Sequence, residues 1–246
     1  MAHKAAIRRS VLALTGALPM MLPVTAAAAG TTFNAPMSGA ISHVFHSSSN
    51  NWSGYAVTGK KFTSVSASWT QPAATCSSKT TYSSFWVGLD GDGSNSVEQT
   101  GSEVDCSSGR AQYYSWYEMY PAYPVNFSNT VRAGDHFTAS VTNTGGANFT
   151  LVLTDSTQGW THTINKTLNN PALASAEVIA EAPSSSSGVL PLTNYGTINF
   201  TAAKANGASM AGQNPDPITM ASGSTTKATV SSISSSGAFS DTWHHN

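Results

Sequence analysis

The stretch "FWVGLDGDGSNSVEQTGSEV", Phe85 to Val104, sets two alternating runs on either side of a turn rich in Gly, Asp and Asn. In "FWVGLD", Phe85, Val87 and Leu89 share one face and Trp86, Gly88 and Asp90 the other, because successive side chains of a strand point to opposite sides. In "VEQTGSEV", Gln99, Gly101 and Glu103 fall together and Glu98 falls opposite. The same period of two recurs at Val65, Ala67 and Trp69, at Phe137, Ala139 and Val141, at Phe149, Leu151 and Leu153, and at Trp160, His162 and Ile164. Gly, Pro, Asn and Asp clusters separate the runs, and no window carries a capped helical stripe. Many short strands at regular spacing predict an all-β chain, an antiparallel sandwich or barrel.

Composition narrows the setting. Only 9% of the 246 residues are charged, against roughly 25% in ordinary soluble chains; Ser, Thr, Asn and Gly take their place. No basic run or stripe gives nucleic acid an electrostatic footprint. The start, "MAHKAAIRRS", is basic, "VLALTGALPMMLPV" (Val11 to Val24) is apolar, and "TAAAAG" offers small-residue cleavage sites near Ala28 or Ala29. This reads as an export signal over residues 1–29. The apolar run is too short, and too broken by Pro19 and Pro23, to span a membrane. Arg8-Arg9 permits a twin-arginine route, with ordinary Sec export the default. Loss of the signal leaves eight basic residues against twelve acidic, a net charge near −4. Residues 30–49 read as a short pro-segment or N-terminal arm, and 50–246 as one β domain. The two cysteines, Cys76 and Cys106, predict one disulfide in an exported chain, with two free thiols as the alternative. A secreted, extracellular monomer is expected.

Strand parity also sorts the acids. In "YSWYEMY", Trp116, Glu118 and Tyr120 share a face; in "AEVIAE", Glu177, Ile179 and Glu181 do. If these segments and the two of the opening stretch are neighbours, one sheet surface gathers Trp86, Asp90, Gln99, Glu103, Trp116, Glu118, Glu177 and Glu181. Paired Trp among acids points to a cleft rather than a solvated face.

The motifs "FWVGLDGDG", "VEQTG", "SWYEMYP" and "AEVIAE", in that order, resemble the glutamic peptidases, the eqolisin family; "NWSGYAV" and "VSASWTQP" resemble that family's opening strands. The resemblance covers about Asn50 to the C-terminus. It implies a sandwich of two packed seven-stranded antiparallel sheets (concanavalin A-like, or lectin-like), with the substrate cleft on the concave face of one. It implies secreted acid endopeptidase activity on protein or peptide substrates, with Gln99 and Glu181 as the catalytic pair. Trp86, Asp90, Glu103, Trp116 and Glu118 then support the pair or bind substrate. The chain departs from the family pattern at Glu98, commonly Leu, at Glu103, which is Asp in a well-known member, at Val178, commonly aromatic, and at Ala182, often Asp.

Amide hydrolysis requires an activated water, a stabilised oxyanion and a proton for the leaving nitrogen. Ionised Glu181 can supply the base and return the proton, while the Gln99 amide holds the water and donates to the oxyanion. No metal, cofactor or covalent intermediate is expected. A base with the ordinary Glu value, about 4.3, stays partly ionised in mild acid. Two rival readings are a jelly-roll glycoside hydrolase using paired carboxylates such as Glu118 and Glu181, and a non-catalytic carbohydrate-binding sandwich stacking sugars on Trp86 and Trp116. "DGDGSN" opens like a calcium loop but has Asn95 and Gly101 where that loop needs Gly and Glu, so it reads as a tight turn. His244 and His245 read as a solvated tail. Sequons stand at Asn51, Asn126, Asn148, Asn165 and Asn199, and no Gly-x-Ser-x-Gly elbow is present.

Overall fold

The computed structural model describes Ser48 to Asn246. The expected export signal and nearly all of the expected arm lie outside the described residues. The longer strands are β1 (Trp52–Val57), β2 (Ser64–Thr70), β3 (Thr81–Leu89), β4 (Val97–Ser107), β5 (Arg110–Tyr120), β6 (His136–Gly145), β7 (Asn148–Asp155), β8 (Trp160–Thr167), β9 (Ala176–Glu181), β10 (Thr197–Ala205), β11 (Asp216–Ser222), β12 (Thr225–Val230) and β13 (Phe239–Trp243). Hydrogen bonding runs in the order β8-β7-β6-β2-β10-β13-β12-β11-β1-β9-β3-β4-β5 and ends on the short strand Val125–Asn126. Each pairing along this path is antiparallel.

The path folds back on itself at β11. Asp216 to Ile218 pair with β1, whereas Met220 to Ser222 pair with β12 across a shift of register. The strands before β11 on the path therefore form one layer and those after it the other, with β3 and β4 of the second packed on β6 of the first. This is the two-layer sandwich that the period of two predicts, its layers joined along one edge.

The core between the layers is built from the alternation seen in the sequence. Val65, Ala67 and Trp69 stand opposite Val141, Ala139 and Phe137 in register, and all six are buried. From the other layer Ala176, Val178 and Ala180 stand opposite Leu89, Val87 and Phe85. Ring contacts tie the layers together: Phe85 meets Tyr195 edge-on at 5.2 Å, and Tyr55 meets Phe239 at 4.9 Å. The Trp69 indole N–H donates across the core to Ser102 Oγ at 2.8 Å, which satisfies a donor that burial would otherwise strand.

Cys76 and Cys106 form the expected disulfide, with Cα atoms 5.3 Å apart. It closes a loop of 30 residues between the approach to β3 and the end of β4, a constraint worth about 3–4 kcal/mol on loop-entropy grounds. No helix among the described residues is long and apolar enough to cross a membrane.

Two glycines make the face away from the core. The six-membered ring of Trp86 lies over Gly88, where an added Cβ would sit 2.8 Å from the indole, and a Cβ on Gly101 would meet Phe85 O at 2.1 Å and Trp86 Cβ at 2.7 Å. Neither glycine has a positive φ, so the requirement is space rather than backbone freedom. Gly101→Ala is expected to cost about 1–3 kcal/mol through overpacking, read as a lower urea midpoint. Gly212→Ala, with nothing within 4 Å of the added carbon, should leave the midpoint where it is. Equal midpoints for the two variants would show that Trp86 does not depend on Gly101.

Candidate active site

The order β9-β3-β4-β5 makes neighbours of the four segments whose parity gathers acids, amide and Trp. Three rungs cross this sheet on the face away from the core. The first joins Trp52, Glu181, Ser84, Glu103 and Tyr114; the second joins Gly54, Ile179, Trp86, Gly101 and Trp116; the third joins Ala56, Glu177, Gly88, Gln99 and Glu118. Trp52, Trp86, Val97, Trp116, Ile179 and Ile218 pack into a small apolar cluster on the same face. The acids of the outer two rungs therefore sit beside indoles, and Glu103, Glu118, Glu177 and Glu181 are all buried.

Glu181 is held from two sides. The Trp86 indole N–H donates to Oε2 at 2.8 Å, and Asn51 Nδ2 donates to Oε1 at 3.1 Å. Trp52 turns its indole N–H toward the same carboxyl from outside hydrogen-bond geometry and meets Trp86 edge-on at 5.0 Å. Gln99 Nε2 donates to Glu118 Oε2 at 2.6 Å. Among the described residues, Gln99 Oε1, Glu118 Oε1, Glu103 Oε1 and Trp116 Nε1 are buried polar atoms without a hydrogen-bond partner.

Asp90 departs from the parity reading. At the end of β3 it takes a positive φ of 66°. Its carboxylate accepts from the amides of Leu173 and Ala174 at 2.8 and 2.7 Å, so it ties the loop before β9 instead of joining the rung of Gln99. Glu177 lies on that rung, fully buried, beside the loop of Asp90 and Asp92. The segment Asp90 to Asn95 is a turn closed by Gly91 N donating to Ser94 Oγ at 2.8 Å. Glu98 pairs with Leu89 and Met119 on the opposite face from Gln99 and is completely buried.

Burial dominates the ionisation of every acid here. It raises Glu181 to about 7, opposed by the hydrogens of Trp86, Trp52 and Asn51. It raises Glu118 to about 8, helped by the facing charge of Glu181 and opposed by Gln99. Glu103 goes well above its ordinary value through burial, with Asp105 and Glu181 adding to the rise, and Asp105, bonded to Glu103, is raised to about 7 by burial. For Glu181 the desolvation outweighs the N–H groups that face it. Of Glu181 and the two carboxyls on which its charge acts, Glu103 and Glu118, Glu181 alone has N–H donors on both oxygens, and these oppose its rise.

Asn51, Trp52 and Asp105 belong to this site without having been singled out in the sequence. The signal for Trp52 lies in "NWSGYAV", where Trp52, Gly54 and Ala56 alternate toward the rungs of Glu181, Ile179 and Glu177. Asp105 follows Glu103 by two residues and so shares its face.

Comparison with known proteins agrees with this architecture. Residues 50–243 match the Peptidase A4 family, and the chain belongs to that family, the glutamic peptidases or eqolisins. It is 28% identical over 181 residues to aspergillopepsin-2 of Aspergillus niger, covering 64% of each chain. It is 33% identical over 128 residues to scytalidopepsin B of Scytalidium lignicola, covering 51% of this chain and 47% of that one. The match thus spans less than two thirds of the length of the first relative and about half of the second. A crystal structure of scytalido-glutamic peptidase with a transition state analog inhibitor superposes with a TM-score of 0.69 at 25% identity, covering 79% of this chain and 98% of that one.

The raised acids give the fold a pH dependence whose sign is fixed. Glu98 and Glu118 stand at about 8, Asp105, Glu181 and Asp241 at about 7, and Glu103 and Glu177 well above the ordinary value, each raised chiefly by burial. Between about pH 4 and 8 the folded chain keeps protons that the unfolded chain has released, so stability is full below about 4 and falls as pH rises through 8. Urea midpoints measured from pH 3.5 to 8.5 should decline steadily across that window. A midpoint that is flat or that rises toward pH 8 would contradict the buried, cation-free setting of these acids.

Proposed function

We propose that the chain is a secreted glutamic-type endopeptidase, active on the acid side of neutrality, that hydrolyses peptide bonds of protein substrates with a water held between Glu181 and Gln99. The observation that carries this reading is the asymmetry of the three facing carboxyls: only Glu181 has both oxygens held by N–H donors, while Glu118 faces the Gln99 amide. Family membership and the superposition on an inhibitor-bound glutamic peptidase support it. The disulfide fits an oxidising, extracellular setting.

In this mechanism ionised Glu181 removes a proton from the water, whose oxygen attacks the scissile carbonyl carbon. Gln99 Nε2 carries two hydrogens. One is committed to Glu118, which fixes the plane of the amide, and the second donates to the oxyanion as it forms. Glu181 then delivers the same proton to the leaving nitrogen and the C–N bond breaks, giving a carboxyl and an amine end with the enzyme unchanged. A carboxyl raised to about 7 is a stronger base than an ordinary one, and its ionised fraction falls about tenfold for each pH unit below that value. Burial raises Glu118 and Glu103 too, which disfavours a second negative charge beside the oxyanion.

Casein digestion by the purified mature protein from pH 3 to 8 tests the reading. Gln99→Ala should lose about 10²–10³ in kcat, and Glu181→Gln about 10²–10⁴. Wild-type cleavage by either variant, or sugar release from polysaccharides in place of casein cleavage, would overturn it.

A further inference from the structure

Asn51 reaches Glu181 from outside the strands β9, β3, β4 and β5 that carry the three rungs. It stands just before β1, and its position is fixed three ways. Its carbonyl accepts from Ala182 N at 2.8 Å, which extends the β1–β9 ladder by one step past the pair of Trp52 and Glu181. Ser49 Oγ donates to Asn51 Oδ1 at 3.1 Å and accepts from the main-chain amides of Asn51 at 3.3 Å and Trp52 at 3.0 Å. Ser48 and Ser49 in turn pair in parallel with Thr219 and Met220 at the bend of β11. With Oδ1 turned to Ser49, Nδ2 is left to face Glu181, and it donates to Oε1 from a side chain that is itself buried.

We propose that Asn51 is a positioning residue for Glu181, and that the Ser48–Ser49 strap, through the Ser49 hydroxyl, holds Asn51 in the orientation that presents its amide N–H to the carboxylate. The inference rests on the reading of Glu181 as the base. An amide in this place does two things that an apolar residue of the same size does not. It fixes Oε1 and, with Trp86 on Oε2, sets the plane of the carboxylate. It also favours the ionised form, because an N–H donates well to a carboxylate oxygen. The other groups that face Glu181 are Trp86 on β3, Trp52 on β1, and the carboxyls of Glu103 on β4 and Glu118 on β5. None of them replaces the Asn51 donor on Oε1. The strap makes the segment at the junction of the expected arm and the β domain part of the catalytic assembly, so a cut after Ser49 would release Asn51.

The test compares the pH dependence of kcat/KM on a casein-derived peptide for wild type, Asn51→Leu, Ser49→Ala, Ser49→Thr and Glu181→Gln, each in the full mature chain with its urea midpoint measured at pH 4. A hydrogen bond to a charged group is worth about 1.5–3 kcal/mol. Its loss in Asn51→Leu should therefore move the acid limb up by about one to two pH units, with kcat falling and KM little changed. Ser49→Ala, at a partly exposed position where folding is not at risk, should move the limb the same way by less, and Ser49→Thr should restore it. If Glu181→Gln retains activity, the reading of Glu181 as base fails and this inference with it. If Glu181→Gln is inactive but Ser49→Ala and Asn51→Leu keep the wild-type limb, or lose activity equally at every pH, the positioning role alone is overturned.

Discussion

The hydrogen bond from the Trp86 indole to Glu181 organises the rest of the site. For it to form, a large ring must lie flat across the sheet, and β3 and β4 allow this only because Gly88 and Gly101 leave the surface bare beneath it. The ring then does two opposed things to the same carboxyl. Its apolar surface removes water and raises the energy of the charge, while its N–H returns part of that energy at one oxygen. Trp52, packed edge-on against Trp86, adds apolar surface beside the same carboxyl. A carboxyl set this way holds its proton tightly because it is dry, and the polar hydrogens of its dry wall oppose that rise.

Among the described residues no Lys or Arg is bonded to an acid of these rungs, and the contacts that oppose burial are neutral: an indole and two amides. A paired cation would pull each acid down together and leave the cleft with several negative charges. Neutral donors act one carboxyl at a time, so they rank the acids instead. Glu181, with donors on both oxygens, has its rise opposed more than Glu118, with one, while the rise of Glu103 is increased by its bonded neighbour, another acid. The same sparing use of charge that marks the whole composition thus appears inside the site.

The faces were legible in the sequence and the directions were not. Parity needs only the period of two, and it placed Trp86, Gln99, Glu103, Trp116, Glu118, Glu177 and Glu181 on one surface, with Glu98 behind it; the strand order needed to make that surface continuous comes from tertiary packing that parity does not encode. Asp90 shows where parity ends. The strand stops at Leu89, the next residue takes a positive φ, and its carboxylate turns to the amides of Leu173 and Ala174. Asn51 was hidden for the opposite reason: it precedes its strand, so no alternation points to it, and its role depends on a ladder step with Ala182 some 130 residues away in sequence. The ionisation of Glu181 was hidden because burial is a property of everything packed around a residue, and no local window carries it.

The neighbours Glu98 and Gln99 show why an amide stands where a reader would look for an acid. Glu98 faces the core, its oxygens have no hydrogen-bond partner, and burial with the charge of Asp90 holds its proton up to about 8. An acid at position 99 would face Glu118 at hydrogen-bond distance, and the two would share a proton and titrate as one pair. Its ability to donate would then depend on pH, and in the range where Glu181 is ionised it would add a further charge to the cleft. The amide does not titrate. It offers one hydrogen to Glu118 and keeps another for an oxyanion at every pH, so the ionisation of Glu181 becomes the only protonation on which the proposed chemistry waits.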